Sequence, residues 1–161
     1  MIKRPIHAFR FGLALAALLG TALAAQADDG PRGPRLPVLP RYQQECTSCH
    51  GAYAPGLLPV ESWQRLMNSL PRHFGTDASL DAASTKEISI WLAANAGTYK
   101  RVREAPPEDR ITKSAWFVRK HDEVSAATWK RASVKSPANC NVCHAQADQG
   151  DFNEHGVRIP R

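Results

Sequence analysis

Apolar residues recur at helical spacing in the middle of the chain. Between Glu61 and Leu70 they fall every three or four positions, on one face of a helix, as Trp63, Leu66, Met67 and Leu70. Pro71 prevents this helix from continuing, because its ring fixes the backbone and removes an N–H donor. The pattern therefore predicts a helix over residues 61–70.

A second helix is predicted over residues 81–96. Asp81 is a suitable N-cap, and Gly97 provides a natural end. The apolar stripe of this helix consists of Ile88, Trp91 and Leu92.

The segments around these helices are predicted to be shorter. Residues 28–40 are rich in proline and glycine, which is typical of an extended leader, and a short helix is expected from Arg41 to Gly51. Residues 100–113 are dense in charge and contain two adjacent prolines, so they are predicted to link two lobes.

The C-terminal third shows a further apolar stripe, which begins after Ser114 and consists of Trp116, Phe117, His121 and Val124. A short helix is expected near residues 125–131. Ser136 followed by Pro137 predicts the start of another helix, because serine is a good N-cap and proline suits the first helical position. Strand patterns are weak throughout, so the predicted fold class is all-α.

Two pentapeptides with the pattern Cys-x-x-Cys-His contain all four cysteines of the chain. Their cysteines and histidines are Cys46, Cys49 and His50 in the first motif and Cys140, Cys143 and His144 in the second. Residues three apart lie on one face of a helix, so both thiols of a motif can reach the two vinyl groups on one edge of a porphyrin. The histidine that follows can bind the iron. The sequence therefore predicts two covalently attached haem c groups.

Two other uses of such cysteine pairs are less well supported. A four-cysteine zinc site would have to join pairs that lie 94 positions apart, and zinc requires no histidine after each pair. A thioredoxin-like redox pair needs a βαβ setting, and no alternating strand pattern is visible.

The second axial ligand of each iron must come from elsewhere in the chain. Residues 28–161 offer four candidates: His73, His121, His155 and Met67. Met67 lies on an apolar helical stripe, where packing is the expected role of a thioether, and His155 lies in a polar terminal stretch. We therefore predict that His50 and His73 bind one iron and that His144 and His121 bind the other. A crossed arrangement between the lobes stays open.

The first 27 residues have the order of a secretory signal peptide. Three basic residues precede an apolar run from Phe11 to Ala25, and small residues follow up to Ala27. This run is shorter than the roughly 20 residues of a membrane-spanning helix. We expect cleavage after Ala27, export to the periplasm and a mature chain that does not span the membrane; an uncleaved anchor is the alternative.

The basic charge of the chain comes largely from this N-terminal segment. The formal net charge is +6, and removal of residues 1–27 leaves 18 basic against 15 acidic residues. Two haems would add about four propionates and bring the total close to zero. The charge therefore does not indicate nucleic-acid binding. A basic cluster at Lys100, Arg101 and Arg103 is expected to be a solvated part of the linker, with docking of an acidic partner as the alternative.

The chain resembles the exported dihaem cytochromes c of bacteria over most of residues 28–161. The similar segments are Cys46 to Pro59, Ser62-Trp63, His73-Phe74-Gly75, Trp91-Leu92, Trp116 to Trp129, Cys140 to Gly150 and Gly156 to Pro160. The resemblance implies a two-lobed electron carrier with His73 and His121 as distal ligands. Some relatives pass electrons to a monohaem, oxygen-binding cytochrome c, and others occur with a membrane b-type cytochrome.

These observations together predict a domain organisation and a function. A signal peptide over residues 1–27 precedes a cytochrome-c-like N-terminal haem lobe over 28–105 and a shorter helical C-terminal haem lobe over 106–161. With both irons six-coordinate, no position is open for a substrate, so we expect an electron carrier for other redox proteins and not an enzyme. The alternatives are a peroxidase-like dihaem enzyme and a gas or redox sensor with a displaceable distal histidine.

Overall fold

The computed structural model describes residues 38–161, and these residues are helical. The five α-helices are α1 (Pro40–Cys46), α2 (Val60–Asn68), α3 (Ala82–Asn95), α4 (Ala115–Lys120) and α5 (Ala126–Trp129). Single 3-10 turns lie between and after them, and within the described residues the pairing of His73 with Thr76 is an isolated bridge outside any strand. The predicted all-α class is confirmed. The predicted signal peptide and residues 28–37 of the predicted leader lie outside the described residues.

The two central helices form close to their predicted positions. Helix α2 ends at Asn68, two residues before the predicted end, and Leu70–Arg72 forms a separate 3-10 turn. Helix α3 begins after Asp81, whose carboxylate accepts hydrogen bonds from the backbone N–H groups of Ala83 and Ser84, both at 2.9 Å. Asp81 is therefore the N-cap that the sequence predicted.

The hydrophobic core lies where α2 packs against α3 and α1 contacts α3. Its buried members are Tyr42, Ala52, Leu58, Trp63, Met67, Ile88 and Leu92. Within this core the indole N–H of Trp63 donates to the carbonyl oxygen of Pro55 at 2.7 Å. That bond satisfies the one polar atom of the ring, so the whole side chain can be buried.

Gly97 has a role different from the predicted helix end. Helix α3 ends at Asn95, and the backbone N–H of Gly97 donates to the carbonyl oxygen of Leu58 at 2.8 Å. A Cβ atom at Gly97 would lie 2.5 Å from the carbonyl oxygen of Gly56 and 2.4 Å from a methyl carbon of Val102. Glycine is thus required here because two chain segments approach closely.

The charged segment over residues 100–113 packs against the helices, which corrects its prediction as a simple linker. It forms three 3-10 turns, and Val102 within it is only 3 % exposed. The guanidinium of Arg65 donates to both carboxylate oxygens of Asp109, at 2.9 and 2.6 Å. A bidentate pair of this kind attaches the segment to α2.

The helix predicted for the first Cys-x-x-Cys-His motif is shorter than expected, and the α-helix predicted for the second motif does not form. Helix α1 ends at Cys46 and not at Gly51. The backbone N–H of Thr47 makes the last helical bond, to the carbonyl oxygen of Gln43, and the Thr47 hydroxyl donates to the same oxygen. No α-helix follows Ser136, although its hydroxyl oxygen accepts from the backbone N–H of Ala138 at 3.1 Å, a bond of the kind that an N-cap makes. The second motif instead contains the 3-10 turn Cys140–Val142.

No helix among the described residues is long and apolar enough to cross a membrane.

Candidate functional site

The first histidine pair is formed by His50 and His73. His50 follows the turn after α1, while His73 ends the 3-10 turn that follows α2. The centres of the two imidazole rings lie 6.1 Å apart, and the ring planes differ by 27°. Both residues are half-buried. The packing of α1 and α2 around one core thus brings together two histidines that are 23 positions apart in sequence.

The second histidine pair is formed by His121 and His144. His121 is the C-cap of α4, and its ring stacks on Phe117 with ring centres 4.0 Å apart. The ring centres of His121 and His144 also lie 6.1 Å apart, but these planes differ by 77°. Trp129 and Phe152 complete the aromatic surroundings of this pair, with ring centres 5.9 Å from His121 and 5.4 Å from His144 respectively.

The separation within each pair fits a single metal ion between two imidazoles. Two imidazoles that bind one ion from opposite sides, each at a metal–nitrogen distance of about 2 Å, have ring centres about 6 Å apart. Both observed separations are 6.1 Å. The ring separation is therefore compatible with one haem iron held by each pair, and the role of these histidines as ligands stays a prediction.

Hydrogen bonds leave the Nε2 atom of one histidine in each pair with its lone pair free to bind a metal. Nδ1 of His50 lies 2.7 Å from the carbonyl oxygen of Gly51, and Nδ1 of His121 lies 2.9 Å from that of Phe117. A carbonyl oxygen only accepts, so Nδ1 carries the proton and Nε2 keeps its lone pair. Bonds of this kind to the outer nitrogen fix the orientation of metal-binding histidines in general.

The other histidine of each pair has a buried Nδ1 atom without a protein partner. These atoms are Nδ1 of His73 and Nδ1 of His144. Nε1 of Trp116 is also buried and has no protein partner. Burial, followed by the neighbouring His50, lowers the pKa of His73, and burial followed by His121 lowers the pKa of His144. The neutral imidazole, which is the form that binds metals, is thus favoured at both positions.

The pKa values of Cys46, Cys140 and Cys143 are raised, which is the opposite of the shift in a reactive redox pair. Burial, with a smaller contribution from Glu45, raises the pKa of Cys46 to about 11. Burial also raises the pKa of Cys140 and of Cys143. Thioredoxin-like cysteines have lowered pKa values. All four cysteines are free of disulfides, and within residues 38–161 no three His, Cys, Asp or Glu residues converge as a metal site. The four thiols are therefore not arranged as a zinc site.

The two other sequence candidates for axial ligation lie outside the histidine pairs. Met67 is buried in the core between α2 and α3, where it packs among apolar side chains. His155 is exposed near the C-terminus, and its Nδ1 lies 3.0 Å from the amide oxygen of Asn153.

Two aromatic residues that contact the histidines were not singled out by the sequence as site residues. Tyr53 stacks on His50, with ring centres 4.7 Å apart and planes 18° apart, and Phe117 stacks on His121. Spacing could have indicated Phe117, which lies four positions before its histidine and one helical turn away. Tyr53 lies outside any helix, so helical spacing could not have indicated its contact with His50.

Ser114 fixes the start of the helix that ends at His121. Its hydroxyl oxygen accepts from the backbone N–H of Phe117 at 3.2 Å, and the hydroxyl donates to the carbonyl oxygen of Ile111 at 2.7 Å. Ser114→Ala is expected to lower the free energy of unfolding of the haem-loaded protein by about 1 kcal/mol, measured by urea titration. Ser133→Ala is the control, because Ser133 is exposed and bonds only near the C-terminus. Equal losses in the two variants would contradict the capping role.

A known protein family matches most of the described residues. The family described as dihaem cytochrome c matches residues 42–152, which contain both motifs and both histidine pairs. No curated protein is significantly similar to the chain.

Solved structures from two organisms are similar to this one. A crystal structure of DHC purified from Rhodobacter sphaeroides has 44% sequence identity and a TM-score of 0.62, covering 72% of this chain and 98% of its own. A dihaem cytochrome c from Shewanella baltica OS155 has 37% identity and a TM-score of 0.67, covering 75% of this chain and 92% of its own. Another structure of a dihaem cytochrome c from R. sphaeroides has 42% identity and a TM-score of 0.64, with coverage of 71% and 97%.

The motifs, the helical fold and these similarities agree with one another. The family match spans more than half of the chain, and the solved relatives are nearly fully covered. The chain thus belongs to the dihaem cytochrome c family and carries two covalently bound haem c groups, with Cys46 and Cys49 in one of the attachment motifs.

Proposed function

We propose that this c-type cytochrome carries electrons between redox partners in the periplasm, with two histidines on each iron. The observation that supports this most directly is the 6.1 Å separation of the rings in both histidine pairs. His50 and His73 would hold one iron, and His121 and His144 the other. When bound, each haem supplies a one-electron couple between ferric and ferrous iron.

The anchoring of one histidine in each pair supports a carrier, because an anchored ligand is expected to stay in place when the iron is oxidised or reduced. His50 and His121 are each anchored through Nδ1 to a backbone carbonyl oxygen. Histidine on both sides favours ferric iron more than a histidine–methionine pair does, so low reduction potentials are expected. Small rearrangement on oxidation and reduction suits transfer of an electron, and no coordination position is left open for a substrate.

The proposal also includes a compartment, the periplasm, a division into two haem lobes, and the kind of redox partner. The signal-like order of residues 1–27 supports export to the periplasm. The two histidine pairs, one from each half of the chain, support an N-terminal haem lobe over residues 28–105 and a C-terminal one over 106–161. A monohaem oxygen-binding cytochrome c or a membrane b-type cytochrome is the proposed kind of partner.

Carbon monoxide distinguishes this carrier from a peroxidase-like enzyme or a gas sensor. We expect the visible spectrum of the dithionite-reduced protein to stay unchanged when carbon monoxide is added, because histidine occupies both sides of each ferrous iron. A rapid spectral change in one haem would instead show an open or displaceable position and contradict the proposal.

The electron paramagnetic resonance spectrum of the oxidised protein provides a second, independent test. Because the imidazole planes differ by 27° in one pair and by 77° in the other, we expect two distinct low-spin signals. A high-spin signal in the resting protein would contradict ligation by two histidines at both irons.

A further inference from the structure

Tyr53 contacts both haem-binding segments with one side chain. Its ring stacks on His50 of the first motif, with ring centres 4.7 Å apart. Its hydroxyl donates to the carbonyl oxygen of Ala138 at 2.8 Å, across 85 positions of sequence. Ala138 lies two residues before Cys140, the first cysteine of the second motif. One residue therefore joins the histidine of one site to the attachment segment of the other.

The backbone of Tyr53 is in turn fixed to the core. The hydroxyl of Tyr42 donates to the carbonyl oxygen of Tyr53 at 2.8 Å. Tyr42 belongs to α1, is buried, and packs on Trp91 of α3 with ring centres 5.0 Å apart. Since its own main chain is held in this way, Tyr53 can act as a rigid spacer and not as a flexible surface side chain.

The two motifs also touch directly beside Tyr53. A Cβ atom added at Gly51 would lie 2.4 Å from the side-chain oxygen of Asn141, which is the residue after Cys140. Only glycine permits this approach without a shift of Asn141. The contact of Gly51 with Asn141 and the hydrogen bond of Tyr53 with Ala138 together form what we call the motif junction.

The hydroxyl of Tyr53 remains a donor at neutral pH. Its hydrogen bond to the carbonyl oxygen of Ala138 requires the phenolic proton, which tyrosine carries at neutral pH because its ordinary pKa is about 10. The thiol of Cys140 also contacts the carbonyl oxygen of Ala138, at 3.7 Å, but it loses its hydrogen when a thioether forms. Tyr53 then remains as the donor that holds this carbonyl group.

We propose that Tyr53 is a positioning residue that holds the two haem sites at a fixed separation and thereby sets the rate of electron exchange between them. The ring fixes the plane of His50, and the hydroxyl fixes the segment that leads to Cys140. The statement about electron exchange rests on the proposed carrier function, whereas the positioning role does not. Electron transfer slows steeply with distance, so a looser junction gives slower exchange.

The first test is Tyr53→Phe in the haem-loaded protein, which removes the hydroxyl and keeps the stacked ring. We expect amide hydrogen exchange in residues 136–144 to rise about fivefold, the equilibrium equivalent of the roughly 1 kcal/mol that a neutral hydrogen bond contributes. Electron exchange between the haems, followed after partial photoreduction, is expected to slow, while both low-spin resonance signals keep their shape. Tyr53→Leu also removes the stack and is expected to change one of these signals.

Tyr99→Phe is the matched control, because Tyr99 is 66% exposed and remote in sequence from both motifs. It is expected to leave amide exchange, electron exchange and both resonance signals unchanged. If amide hydrogen exchange rises over the whole chain in the Tyr53→Phe variant, the variant is destabilised generally. That result would overturn the positioning role.

The Gly51–Asn141 contact provides a test that leaves Tyr53 intact. Gly51→Ala is expected to separate the segments and slow electron exchange, and the double change Gly51→Ala with Asn141→Ala is expected to restore it by removing the clash. If Tyr53→Phe and Gly51→Ala both exchange electrons at the wild-type rate, the proposal is wrong and the carrier function still stands. If the unaltered protein exchanges no electrons with redox proteins, the proposed carrier function is wrong. The positioning role is then still tested by amide hydrogen exchange and by the electron paramagnetic resonance signals.

Discussion

Replacing His121 with alanine is expected to convert one of the two haems to high spin and to leave the other low spin. His121 lies with its ring centre 6.1 Å from that of His144, and its Nδ1 is held by the carbonyl oxygen of Phe117. Alanine has no side-chain nitrogen, so the iron bound by His144 would lose its second strong ligand. Resonance and visible spectra of the oxidised protein measure the spin state of each haem directly.

The same variant should also acquire a reaction that we expect the unaltered protein to lack. With one side of the iron open, the reduced His121→Ala protein is expected to bind carbon monoxide at one haem. His73→Ala is the matched variant for the other haem and should affect the other low-spin signal. His155→Ala is the control, since His155 is exposed and outside both pairs.

One outcome would refute the ligand assignment at the second haem. If both haems stay low spin in His121→Ala, another side chain supplies the ligand, and His155 and Met67 are the candidates. A combined change of His121 with either residue would then identify it. Ligation by Met67 would be costly, because Met67 is buried in the core between α2 and α3 and the core would have to open.

Replacing Cys140 and Cys143 together with serine is expected to reduce the covalently bound haems from two to one. Serine cannot form the thioether to a vinyl group, so the second haem would not be retained when the protein is denatured. Mass spectrometry of the intact denatured chain measures this directly. The remaining haem should stay low spin, because the pair of His50 and His73 is unaffected.

The matched variant on the first motif replaces Cys46 and Cys49 with serine. It should also lose one haem, but with a larger loss of stability, because Cys46 packs against the hydrophobic core of α1, α2 and α3. Retention of two haems in either double variant would show that the cysteines of that motif are not the attachment points.

The sequence predicted the parts of the fold that depend on neighbours along the chain. The stripe of Trp63 and Met67 and the N-cap Asp81 gave α2 and α3 to within two residues, because helical spacing and capping are local properties. One prediction from a local pattern was nevertheless wrong. Ser136 and Pro137 suggest a helix start, and the serine hydroxyl does accept from the backbone N–H of Ala138, but the 3-10 turn Cys140–Val142 follows and not an α-helix.

The charged segment over residues 100–113 shows why the remainder could not be read from the sequence. Its charge density suggests a solvated linker, yet Asp109 pairs with Arg65 across 44 positions and ties the segment to α2. No pattern within the segment indicates that partner, because the bond depends on how distant elements pack.

The sequence by itself determined the chemistry of this protein: two Cys-x-x-Cys-His motifs specify covalent haem through the spacing of adjacent residues. The few available histidines also suggested the two pairs, but only the tertiary structure decided that the rings of each pair lie 6.1 Å apart and that Tyr53 and Phe117 stack on them. Each histidine pair joins residues 23 positions apart, and Tyr53 reaches Ala138 across 85. Such contacts depend on the packing of α1, α2 and α3 around one core and on the turns that carry the second motif. Spacing along the chain determines the haem motifs because their residues are adjacent, whereas contacts between distant residues depend on how the chain packs.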